Sequence, residues 1–182
     1  MKVAMIFAAG RGERLKPLTD SLPKALCSVH GRALIEHHVT NLAQAGYTRI
    51  VINHAYLGGK IKQHLGDGNR FGVEICYSPE PPGALETGGA VVRALPLLGE
   101  EPFITVNADI YTNFDFANLP NETLDNMHLI LVDKNPALKH HGDFGLMPNH
   151  LISNSNREYT FSGIACYHPR VFKDLPQGRY SL

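Results

Sequence analysis

Short apolar runs rich in β-branched residues alternate along most of this chain with segments whose apolar positions recur every three or four residues, and that alternation restricts it to an α/β layered fold. Residues 3–8 read as the first strand. Leu34, Ile35, His38, Val39, Leu42 and Ala45 then share one helical face, with Gly46 as the stop. Residues 49–53 form the next strand, and Leu57, Ile61 and Leu65 a helix closed by Gly66-Asp67-Gly68, before a strand at 73–77. Thr87 is the expected cap of a third helix through Ala90, Val91, Ala94, Leu95 and Leu98, and a strand at 103–106 runs into Asn107-Ala108-Asp109. Further on the rhythm changes. Long strands at 127–132 and 159–167, with Asp143-Phe144-Gly145 as a turn between them, imply mixed pairing. The expectation is one α/β domain over residues 1–182, with a mixed, mostly parallel sheet flanked by helices.

Composition narrows the partners. Lys plus Arg and Asp plus Glu number 17 each, so no overall positive field exists to hold nucleic acid or an anionic membrane surface. The longest apolar runs, 3–9 and 128–132, fall far short of the roughly 20 residues that span a bilayer. Only Lys2 precedes the first run, which lacks the length and cleavage pattern of a signal peptide. Cys27, Cys76 and Cys166 are scattered among apolar neighbours and read as reduced core thiols. A cytoplasmic protein is expected, in which the sequon Asn121-Glu122-Thr123 has no role. The pairs His37-His38 and His140-His141 do not form metal-ligand spacing, and His54 reads as a surface residue beside Asn53 at a strand end.

The chemistry-bearing segment is Ala8-Ala9-Gly10-Arg11-Gly12-Glu13-Arg14, continuing to Pro23-Lys24-Ala25-Leu26, directly after the first strand. Glycines without Cβ atoms let backbone N–H groups close on phosphate oxygens, and nearby Arg and Lys side chains neutralise the charge. A Gly-x-Gly by itself also serves a tight turn. The dinucleotide fingerprint lacks its third glycine here and its acid after the second strand, where Asn53 and His54 stand, and the Gly-Lys-Ser/Thr of a P-loop is absent. The stiff loop Pro79-Glu80-Pro81-Pro82-Gly83 is expected to abut a binding site.

Residues 8–26 resemble the nucleotide-binding signature of the sugar-1-phosphate nucleotidyltransferases, and further segments follow in that family's order: Leu85-Glu86-Thr87-Gly88-Gly89-Ala90, Asn107-Ala108-Asp109, Asp143-Phe144-Gly145 and Glu158-Tyr159-Thr160-Phe161-Ser162-Gly163. The resemblance implies a Rossmann-like nucleotidyltransferase fold. It assigns Ala8, Ala9, Gly10, Gly12, Arg14, Lys24, Asn53, Glu86 and Gly88 to the nucleotide, with Arg14 and Lys24 neutralising the triphosphate. Asp109 would hold Mg²⁺, and Asn107, Gly145 and Glu158 would line the sugar pocket. Segments 52–57, 64–68, 77–80 and 85–89 are most similar to the branch that uses UTP and an α-1-phosphorylated amino sugar, N-acetylmuramate 1-phosphate, in peptidoglycan recycling.

The implied reaction is attack of the acceptor phosphate on the α-phosphorus of the triphosphate, with release of pyrophosphate. The family pattern continues with a second metal-binding aspartate and helices downstream, whereas this sequence ends at Leu182 with only Asp174 late in the chain, in what reads as a short helix. A domain without the family's C-terminal segment is therefore expected. Two alternatives stay open: a nucleotide-binding module with little turnover, and an enzyme for another sugar 1-phosphate such as that of glucose or mannose. A nicotinamide-dependent dehydrogenase is a third, disfavoured reading.

Overall fold

A six-stranded sheet organises the protein, whose computed structural model describes residues 1–119, 126–133 and 141–182. The sequon and His140 lie outside the described residues. In chain order the elements are β1 (Val3–Phe7), the short pair β2 (Ser28–Val29) and β3 (Arg32–Ala33), α1 (Leu34–Gln44), β4 (Arg49–His54), α2 (Gly58–Leu65), β5 (Glu74–Pro79), α3 (Glu86–Leu98), β6 (Phe103–Asn107), β7 (Met127–Asp133), the short pair β8 (Gly145–Leu146) and β9 (Ile152–Ser153), and β10 (Tyr159–Tyr167). The strands of the sheet lie in the order β5-β4-β1-β6-β10-β7, and β5, β4, β1 and β6 are parallel. β10 runs antiparallel to β6, and β7 antiparallel to β10. The mixed, mostly parallel sheet expected from the alternation is thus present.

Alternation along β1 divides the core into two layers. Ala4 and Ile6 face α1 and α2, packing with Ile35, Val39, Leu42, Ile61 and Leu65, while Val3 and Met5 face α3 and pack with Ala90, Val91, Ala94 and Leu98. The central parallel strands are covered on both faces, which is why they read as nearly unbroken apolar runs. Each fully buried aliphatic side chain of this kind contributes roughly 1.5–3 kcal/mol of transfer free energy.

Differences from the sequence expectations are local. Helix α3 begins at Glu86 with Leu85 as its cap residue, so Thr87 is inside the first turn and not the cap. The Thr87 hydroxyl instead accepts the backbone N–H of Leu182 (3.0 Å), a partner 95 positions away in sequence. Asp143-Phe144-Gly145 is not a free turn: Phe144 bridges Tyr159, Gly145 starts β8, and the Asp143 carboxylate accepts the N–H of Phe161 (3.0 Å). The segment around Asp174 forms a 3₁₀ turn only at Pro169–Phe172, which anchors the buried Phe172 against Phe103 and Tyr167. His54 is half-buried against Tyr77, and burial, then the neighbouring Lys62, lowers its pKa.

The chain leaves β1 toward β4 and β5 on one side, then crosses by α3 to β6 on the other. The carboxyl ends of β1 and β6 therefore form the point at which strand order reverses, and the loops leaving them diverge to open a crevice.

Candidate active site

The loop after β1 is shaped by two glycines with different duties. Gly12 has a left-handed φ of 67°, and a Cβ there would meet the Thr19 methyl at 2.9 Å, so glycine is required for the loop to fold back, with the Thr19 hydroxyl donating to the Gly12 carbonyl (2.9 Å). Gly10 has open space around it and lines the crevice. Its missing Cβ leaves the backbone approachable.

That crevice is a cavity of about 300 Å³ lined by Ala8, Ala9 and Gly10 from the loop, Lys24, Asn53 and Glu80, Gly83 to Thr87 in part, Asn107 to Asp109, and Arg179. At one end the Lys24 ammonium, at the start of the 3₁₀ turn Lys24–Leu26, donates to the Asp109 carboxylate at 2.5 Å. The turn carrying Asp109 is pinned on both sides: Ala108 N–H donates to the Phe7 carbonyl (3.0 Å), and the buried His38 ring lies 2.9 Å from the Ile110 carbonyl through Nε2. Burial is the largest influence on His38 and lowers its pKa, keeping the ring neutral.

Asn53 holds the middle of the site. It is 3% exposed, its carbonyl oxygen accepts the Ala8 N–H (2.9 Å), and its amide donates to one Glu80 oxygen (2.6 Å). The other Glu80 oxygen accepts the Leu85 N–H (2.7 Å). The carboxyl end of β1, the end of β4 and the loop before α3 are thus tied together by two side chains. The residues 79–83 expected to abut a site contribute Glu80 and Gly83 to its wall.

Of the residues assigned from sequence, Ala8, Ala9, Gly10, Lys24, Asn53, Glu86, Asn107 and Asp109 converge on this cavity. Gly163, with φ of 86° at an irregularity in β10, brings its backbone against the Asn107 side chain, where a Cβ would stand 3.0 Å from the amide nitrogen. Gly12 and Arg14 do not line the cavity. Arg14 is exposed on the 3₁₀ turn Glu13–Leu15 and pairs with none of the described residues.

Gly88, Gly145 and Glu158 are placed elsewhere. Gly88 and Gly89 donate their N–H groups to the Tyr180 carbonyl (3.0 and 3.2 Å), and a Cβ on Gly88 would meet the Tyr180 ring at 2.6 Å. These glycines admit the C-terminal segment against α3, so the Gly88 backbone does not face the cavity. Gly145 is buried against the Ser155 carbonyl, and Glu158 is exposed and outside the cavity wall. Conversely Arg179, which no sequence pattern singled out, enters the cavity wall and donates through Nε to Glu86 (3.2 Å). Its only signal lay in a contact 93 positions distant.

Among the described residues no group of three or more His, Cys, Asp or Glu is placed to hold a metal ion, and no helix is long and apolar enough to cross a membrane. Asp109 nevertheless offers a hard oxygen ligand at a strand end, already attracting a cation in the form of Lys24. One protein carboxylate combined with substrate phosphates suits Mg²⁺, which usually retains several waters.

The class is defined by these features: a Rossmann-like α/β fold whose glycine loop, lysine and aspartate meet at the carboxyl ends of parallel strands. A model of the nucleotidyl transferase family matches residues 3–148. An N-acetylmuramate alpha-1-phosphate uridylyltransferase of Neisseria meningitidis serogroup B is 48% identical, covering 96% of this chain and 79% of its own length. A protein of the same description from Caulobacter vibrioides is 34% identical, covering 100% of this chain and 81% of its own. HddC from Yersinia pseudotuberculosis, solved in complex with GMP-PN, superposes with a TM-score of 0.81 at 22% identity, over 100% of this chain and 83% of that one, a likeness of fold. The chain belongs to the nucleotidyl transferase family, and as such is an enzyme of nucleotidyl transfer.

Proposed function

We propose that this protein transfers UMP from UTP to N-acetylmuramate 1-phosphate, with Mg²⁺ as cofactor, in the cytoplasmic recycling of peptidoglycan. The observation that carries the reading is the meeting of Gly10, Lys24 and Asp109 in one cavity at the strand-order reversal. The uridylyltransferase relatives support the donor and the acceptor.

An acceptor phosphate oxygen attacks the α-phosphorus of UTP in line; the new P–O bond forms as the bond to the bridging oxygen breaks, and pyrophosphate leaves. No general base is needed, since a phosphomonoester has a second pKa of about 6 and is largely ionised at neutral pH. The chain's task is alignment and charge neutralisation. The open backbone at Gly10 receives phosphate oxygens, and Lys24 neutralises the α-phosphate. Arg14, exposed and uncommitted, closes on the triphosphate from the loop. Asp109 together with substrate phosphates would hold Mg²⁺, which would supply further neutralisation of developing charge. Asn107 faces the acceptor; Asn53 fixes the loop from within the wall of the nucleotide cavity.

Pyrophosphate release with UTP, Mg²⁺ and N-acetylmuramate 1-phosphate tests the reading, against a panel that includes glucose 1-phosphate and mannose 1-phosphate. Turnover only with another acceptor would replace the assignment. Binding of UTP without pyrophosphate release would identify a chain that holds the donor but does not use it.

A further inference from the structure

We infer that Tyr56 is a positioning residue for nucleotide binding: its side chain clasps both limbs of the loop after β1 and holds that loop in the form that receives the triphosphate. The inference rests on the reading of residues 8–24 as the triphosphate loop proposed above.

The loop has little else to keep its shape. From Arg11 to Ser21 only Thr19 is buried, and the backbone hydrogen bonds of the segment are short turns, from Leu15 to Gly12, Lys16 to Glu13 and Asp20 to Pro17. Burial therefore does not fix a stretch that carries Arg11, Arg14 and Lys16, and an exposed segment of this kind opens at low cost. Side-chain contacts from a neighbouring element hold it instead.

The segment after β4 supplies them. The Tyr56 hydroxyl donates to the Asp20 carbonyl (2.8 Å) at the far limb of the loop, while the Arg11 guanidinium at the near limb lies over the Tyr56 ring, 4.8 Å from its centroid. One aromatic side chain thus bridges the two limbs. Lys60, one turn further along α2, donates to the Ser21 carbonyl (2.6 Å) and extends the clasp. Arg11 Nε also pairs with Glu13 (3.3 Å), so the stack bears on the residue next to Arg14.

The position of Tyr56 is itself fixed. β1 and β4 are adjacent and parallel, with Phe7 opposite Asn53, so the loops that leave them start side by side. Asn53 accepts the Ala8 N–H at the root of the glycine loop, and Tyr56, three residues on, reaches its far limb. Leu57 then adopts a left-handed φ of 54°, and Gly58 packs so closely on the His54 ring that a Cβ there would overlap it. A backbone this constrained aims Tyr56 in one direction. The stacked pair stands beside the active-site cavity, since Arg11 and Tyr56 line a hollow that shares Ala9, Glu80, Gly83 and Ala84 with it.

Limited trypsin cleavage after Arg11 and Arg14, together with UTP affinity, tests the clasp in Tyr56→Ala and Tyr56→Phe. In nucleotide-free Tyr56→Ala, cleavage at these two sites is expected to quicken about tenfold, with cleavage elsewhere unchanged, because the hydroxyl contact and the stack are both lost. The Kd and KM for UTP should rise by a similar factor while KM for the acceptor is unchanged. Tyr56→Phe keeps the ring and should fall between wild type and Tyr56→Ala. Either loop cleavage or UTP affinity left unchanged in Tyr56→Ala would overturn the inference, as would losses shared equally by UTP and acceptor. Should Tyr56→Ala lower the urea midpoint of the whole protein, Tyr56→Phe decides: loop cleavage faster than in the wild type supports the clasp, and cleavage at the wild-type rate refutes it. If the wild type binds no UTP, the function proposed above fails, and loop cleavage in the nucleotide-free variants still decides whether Tyr56 holds the loop.

Discussion

Lys24 and Asp109 lie 85 residues apart in sequence, and the Lys24 ammonium donates to the Asp109 carboxylate at 2.5 Å. The contact exists because β1 and β6 are adjacent parallel strands whose carboxyl ends open to the same side, with Phe7 opposite Asn107 in register. Each group neutralises the other until substrate arrives. Both are partly exposed, with 27% and 42% of the side chains accessible, so the pair is weak enough to be exchanged for phosphate and cation.

Substitutions at the two positions should separate their duties. Lys24→Ala is expected to weaken UTP binding about tenfold, the loss of one charge-assisted contact, and Arg14→Ala to weaken it similarly without changing stability. Asp109→Asn should raise the Mg²⁺ concentration for half-maximal rate at least about tenfold while UTP affinity measured without metal changes little. Calorimetry and a Mg²⁺ titration of rate check the three; unchanged UTP affinity in both loop variants would refute the loop assignment.

Asn53→Ala should destabilise the fold by about 2 kcal/mol, because it leaves the Ala8 N–H and a Glu80 oxygen without their partner at a buried position. Urea unfolding measures this. Asn53→Asp should cost at least as much, since a second carboxylate would face Glu80.

Two glycines in helices should respond to alanine with opposite signs. Gly59 has open space where a Cβ would go, so Gly59→Ala should stabilise by about 0.5 kcal/mol through the unfolded chain. Gly89 would place its Cβ on the Gly178 carbonyl, and the overpacking cost of about 1–3 kcal/mol should exceed the helix-propensity gain of about 1 kcal/mol. A Gly89→Ala protein whose C-terminal segment is cleaved more readily by protease would show that the segment has been displaced.

Stability should fall in acid in part through Glu36. Burial pushes its pKa up, but His64, Arg70 at 2.6 Å and the Ala33 N–H outweigh that and hold it below the usual 4.5. A depressed folded pKa means that the contribution is present above pH 4.5 and lost as pH falls through the folded value. Glu36→Gln should therefore be less stable than the wild type by about 1 kcal/mol at pH 7, and the difference should shrink below pH 4. Urea midpoints at the two pH values check the sign.

Much of the architecture was legible because local rules and tertiary packing agree. The apolar stripe that begins at Leu34 lies on α1, which ends just before Gly46, and the runs of the central strands β1, β4 and β6 are buried on both faces. Boundaries slipped where a distant partner intervened. Thr87 has the chemistry of a helix cap but spends its hydroxyl on Leu182, and Gly145 belongs to a strand packed on the Ser155 carbonyl.

What the sequence by itself determined is the α/β class and the loop from Ala8 to Lys24, since strand period, glycine freedom and charge are properties of neighbouring residues. Gly12 must be glycine for its own φ, whatever lies across the cavity. Only the tertiary structure decided which side chains share the cavity: that Asn53 clamps Ala8 to Glu80, that Gly88 meets Tyr180, and that Arg179 stands beside Glu86. Those contacts are set by strand order and by where the chain returns in space, and no local pattern encodes a separation of 93 residues.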